Sequence, residues 1–63
     1  MDVEILALAS AADGLSVTVG QTQIGTFRVT FRDTDAGAII ETRVFVNRER
    51  AIGFARGLIP QEV

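Results

Sequence analysis

Residues 26–33 read Thr-Phe-Arg-Val-Thr-Phe-Arg-Asp, so Phe27, Val29 and Phe31 alternate with Arg28, Thr30 and Arg32. A period of two places the apolar three on one face of a strand and the polar three on the other. A helix through the same residues would scatter them around its axis. The chain must therefore build a sheet with one buried and one wet face, and must supply something to cover the buried one. Residues 38–46 are rich in β-branched and aromatic side chains (Ile39, Ile40, Thr42, Val44, Phe45, Val46) and read as the partner strand.

Between the two runs lie Thr34, Asp35, Ala36 and Gly37, a loop whose last residue is the glycine that a positive φ demands. Such a loop sets Asp33 opposite Ala38. Carried along the strands, that register puts Phe31 opposite Ile40, Val29 opposite Thr42 and Phe27 opposite Val44. The apolar residues then meet on one face, and the other holds Arg28, Thr30 and Arg32 against Arg43, Glu41 and Ile39. Arg28 directly opposite Arg43 is unfavourable, so Glu41 is expected to sit diagonally between them as a shared partner.

Upstream, Leu15, Val17 and Val19 alternate with Ser16 and Thr18, a further strand that ends at Gly20. Residues 21–25 form a polar connection. The opening segment allows two readings. Leu6, Leu8 and the alanines at 7, 9, 11 and 12 favour a helix by propensity, with Asp2 as cap and Gly14 as stop, but that helix would be apolar nearly all round. A strand instead gains a loop of the same shape, Ala11, Ala12, Asp13 and Gly14, which sets Ser10 opposite Leu15, Leu8 opposite Val17 and Leu6 opposite Val19. The strand is the preferred reading.

The last element is a helix. Asn47 is a good N-cap, Glu49 brings negative charge to the first turn, and Ala51, Phe54, Ala55 and Leu58 form an apolar stripe flanked by Ile52 and Ile59. Pro60 ends it. Gly53 and Gly57 each cost about 1 kcal/mol inside a helix, and lying four apart they share one side, so with Ala51 and Ala55 they are expected to allow a close backbone approach, to the sheet as the preferred reading and to a symmetry-related helix as the alternative. The expected fold is α+β, an antiparallel meander of three to four strands packed on one C-terminal α-helix, in the order ββββα with αβββα as the alternative.

At 63 residues the chain has room for one core, so residues 1–63 are read as a single small domain. Cysteine and histidine are both absent, which removes disulfides and nearly all zinc geometries, and burial must supply the stability. The apolar fraction of 48% is enough for that. Residues 1–4 carry acid where a secretion signal carries base, and no apolar run is long enough to span a bilayer. A cytoplasmic location is the expectation.

Catalysis has few groups to draw on, because histidine, cysteine, lysine and tyrosine are all missing and the usual nucleophile and base pairs cannot be assembled. The chain is expected not to be an enzyme, and no cofactor is expected. A calcium loop beginning at Asp33 would need glycine sixth and glutamate twelfth, but those places hold Ala38 and Val44.

The candidate contact surface is the face expected to carry Arg28, Thr30, Arg32, Ile39, Arg43 and Phe45. Two readings of it stand side by side. Apolar groups beside arginines describe a protein interface, so the first expected partner is a second copy or another protein. Arginines on a sheet that precedes a helix also resemble domains that lay a sheet face into the DNA major groove, where guanine O6 and N7 accept from arginine. An αβββα order would be similar to the double-stranded-RNA-binding domain, whose last helix begins on a lysine cluster. Here that position reads Asn47, Arg48, Glu49 and Arg50. No membrane partner is expected.

Overall fold

The computed structural model describes residues 2–10 and 14–59. Strands β1 (Val3–Ser10), β2 (Leu15–Gln21), β3 (Phe27–Asp33) and β4 (Ala38–Phe45) follow one another, and helix α1 (Arg48–Leu58) closes the chain. Each strand pairs antiparallel with its sequence neighbour, so the sheet order is β1-β2-β3-β4. The opening segment is a strand, and the αβββα order is excluded. As a strand it turns Leu6 and Leu8 toward the core and leaves Ala7 and Ala9 exposed, a division that an all-round apolar helix could not make.

The β1–β2 register sets Ser10 opposite Leu15, Leu8 opposite Val17 and Leu6 opposite Val19, as the sequence predicts. A bulge at Ile5 follows, and Ile5 and Leu6 both pack against the core. Gly14 and Gly37 take φ of 64° and 68°, the left-handed values their loops require. The first three residues of the Ala11 to Gly14 loop lie outside the described residues. At the same end of the sheet the Asp33 carboxylate accepts from the Asp35 and Ala36 amides at 3.0 and 3.1 Å, and the Thr34 amide donates to the Gly14 carbonyl at 2.8 Å.

The β3–β4 pairing departs from expectation. Asp33 does lie opposite Ala38, but an extra residue at Ile40 shifts everything beyond it, so Phe31 faces Glu41, Val29 faces Arg43 and Phe27 faces Phe45. Ile40 and Val44, expected inside, therefore point outward with Arg28, Thr30 and Arg32. Arg43 and Phe45, expected outside, point to the helix side. Two gains outweigh the exposure of two aliphatic side chains. Phe45 packs on Phe54 with ring centroids 5.3 Å apart, and the Arg43 guanidinium stands over the same Phe54 ring, 5.3 Å from its centroid. The Arg43 Nε also donates to Glu41 at 2.6 Å, so Glu41 serves Arg43 alone and is not shared with Arg28.

Helix α1 starts at Asn47, whose side chain accepts from the Arg50 amide at 3.1 Å. Ala51 and Ala55 are fully buried with Val17, Val19 and Val29, and Ile59 joins them as the chain leaves the helix in an extended conformation. Pro60, expected to end the helix, lies outside the described residues. Phe27, Phe31, Phe45, Phe54 and Leu58 pack around this cluster. The buried layer is thin because its central side chains are small, and the molecule is a slab of 34 × 27 × 15 Å.

Gly53 and Gly57 do not approach the sheet. Both are exposed, and a methyl group at either would meet nothing within 4 Å, so the expected intramolecular use of these glycines is overturned and the alanines at 51 and 55 make the close approach. Gly53→Ala is accordingly expected to raise the unfolding free energy by roughly 0.5–1 kcal/mol. A urea titration that showed a lower midpoint for this variant would contradict the placement.

Candidate functional site

The helix covers one face of the sheet, and the opposite face is open. Successive pairings define its rows: Glu4, Gly20, Arg28 and Val44 lie side by side, then Ala7, Thr18, Thr30 and Thr42, then Ala9, Ser16, Arg32 and Ile39, with the bulged Ile40 beside the last. Each strand contributes a distinct chemistry. On β1 the side chains are acidic at one end and alanine at the other, β2 is small and polar, β3 bears the arginines, and β4 is aliphatic.

Gly20 shapes the first row. With no side chain near the end of β2, it leaves a gap through which Arg28 reaches across the strand to the Asp2 carboxylate at 2.7 Å. A Cβ at position 20 would sit 3.2 Å from that of Asp2, tighter than ordinary contact. Around this pair Asp2, Glu4, Thr18, Gly20, Arg28 and Thr30 line a shallow depression of about 140 Å³. Two carboxylates and one guanidinium leave it with one negative charge in excess, so it suits a cationic group better than an anionic one. Among the described residues neither Glu4 nor Arg32 has an ion-pair partner.

On β4, Ile39, Ile40 and Val44 keep 57%, 52% and 57% of their surface exposed, in a strand that is also the edge of the sheet. Four of the six expected contact residues, Arg28, Thr30, Arg32 and Ile39, thus share this face. Arg43 and Phe45 are on the other one, carried there by the bulge. The residues that sequence reasoning missed are Asp2, Glu4, Gly20, Ile40 and Val44. A glycine ending an alternating strand was a visible signal for a crossing contact, but the acidic pair aligns with it only through the bulge at Ile5.

Among the described residues no three metal-ligating side chains gather at one place, and no helix is long and apolar enough to cross a membrane. The chain matches no protein-family model, no curated protein and no solved structure.

Proposed function

We propose that this chain is a small non-catalytic interaction module that associates with itself, using the open face of its sheet or an exposed sheet edge. One observation carries the reading: three aliphatic side chains, Ile39, Ile40 and Val44, stand more than half exposed on an edge strand beside arginines. Exposed apolar groups interleaved with arginine are the composition of interface centres. The physical need is also present. Among the described residues the largest fully buried side chains are only valines, Val17, Val19 and Val29, and a domain this small gains much from burial supplied by a partner.

Sedimentation equilibrium at micromolar concentration tests the reading. The expected result is a mass above the 6.8 kDa of one chain. A strict monomer of undiminished stability counts against it.

A second reading, a small DNA-binding domain, draws support from Arg28, Thr30 and Arg32 standing in line on β3. It is the weaker one, because Arg28 is already held by Asp2, Glu4 adds negative charge, and Arg43 faces the other way. Its test is binding to duplex DNA at two salt concentrations. Affinity at low salt that falls with added salt and is reduced by Arg32→Ala would favour it, and no binding at low salt removes it.

A further inference from the structure

We propose that the occupant of the open face is a second copy of the chain, docked about a two-fold axis perpendicular to the strands, so that each Arg32 enters the acidic depression of its partner. This rests on the self-association reading and specifies how the two faces meet.

The face is electrically lopsided along the strand direction. The end bearing Asp2, Glu4 and Arg28 has a carboxylate in excess, whereas at the other end Arg32 is a cation without a partner among the described residues. Two arrangements can lay this face on itself with two-fold symmetry. An axis parallel to the strands stacks each end on its own kind: Arg32 falls over the partner's Ser16, and the two acidic depressions confront each other. Burying a guanidinium there without a counter-charge is costly.

An axis across the strands reverses the ends. Arg32 then lies over the partner's Arg28, in the row that runs through Gly20 to Glu4, and the depression that Asp2 and Glu4 line beside that arginine leaves space for it. The guanidinium groups of Arg28 and Arg32 become neighbours, but two carboxylates stand among them, so each cluster is neutral. The same operation necessarily keeps every strand over its own counterpart. Ile39 and Ile40 of one copy therefore cover the partner's Val44, and the three aliphatic side chains of β4 leave water together. Facing sheets packed about 10 Å apart at roughly 30° accommodate this pairing.

The absence of cysteine from the chain makes the geometry directly testable. Ala7 and Thr42 are exposed and lie on the middle row, through which the axis runs, so each meets its own equivalent. Ala7→Cys and Thr42→Cys, prepared separately, are both expected to give covalent dimers with a short bifunctional thiol reagent. An axis along the strands would instead link Ala7→Cys only to Thr42→Cys in a mixture, and pairing through a sheet edge would link at most one of the two to itself. Either outcome overturns the proposal while self-association stands, and a monomer in sedimentation overturns both. Arg32→Glu is expected to weaken the dimer by at least about tenfold, and Glu4→Arg combined with Arg32→Glu to recover most of that loss. Unchanged affinity in the first variant, or no recovery in the second, overturns the arginine's role.

Discussion

Val19→Asp is expected to abolish folding, and Val19→Ala to remove about 2–3 kcal/mol of stability. Val19 is fully buried, with Leu6 opposite on one neighbouring strand and Val29 on the other, in the cluster that includes Ala51 and Ala55. An ionised carboxylate there would have no partner, because no charged or polar side chain is buried among the described residues. The alanine variant loses two methyl groups and leaves a void that a helix resting on alanines cannot fill by small adjustments. A domain of this length has only about 3–9 kcal/mol in total, so even this loss consumes a large part of it. Urea denaturation followed by far-ultraviolet circular dichroism measures both. A Val19→Ala variant within about 0.5 kcal/mol of the parent would show that the helix does not close over β2.

Neighbouring residues of β4 are expected to respond in opposite ways. Phe45→Asp should destabilise the fold by about 3 kcal/mol or more, since the ring packs on Phe54 and the core, and a charge would replace it. Val44→Asp should leave the unfolding free energy of one chain within about 0.5 kcal/mol, because Val44 projects from the open face. The register expected from the loop alone reverses these effects, making Val44 the buried residue, so the pair of variants decides where the strand turns over. Under the proposed self-association Val44→Asp also places two carboxylates in the apolar contact, and a dimer should give way to monomer at micromolar concentration. Stability of Val44→Asp falling as far as that of Phe45→Asp would refute the bulge at Ile40.

The alternation in β3, the glycine-closed loops and the Asn47 cap were all legible because each is a local signal. A period of two, a positive φ and an unsatisfied amide at a helix start are conditions met within a few residues. The β1–β2 register could also be read, since its loop and its hydrophobic pattern agree for Leu6, Leu8 and Ser10. The contact face was legible only in part. Arg28, Thr30, Arg32 and Ile39 were placed by β3 and by the loop next to it, but beyond Ile40 the loop no longer governs which side a residue faces.

The sequence by itself determined that the chain forms an amphipathic sheet with a helix to cover it, and its short connections implied a meander, while the residues of the opening segment left open whether it joined the sheet as a strand or lay outside it as a helix. Only the tertiary structure decided which face of β4 is buried. Both registers satisfy the local pattern, because Ile39, Ile40, Val44, Phe45 and Val46 offer apolar side chains of either parity. The choice depends on Phe54, which lies on an element outside the sheet and gains an aromatic neighbour and a stacked arginine only when the extra residue is inserted. The Arg28–Asp2 contact has the same origin, since it spans a strand that neither residue belongs to and requires the gap at Gly20.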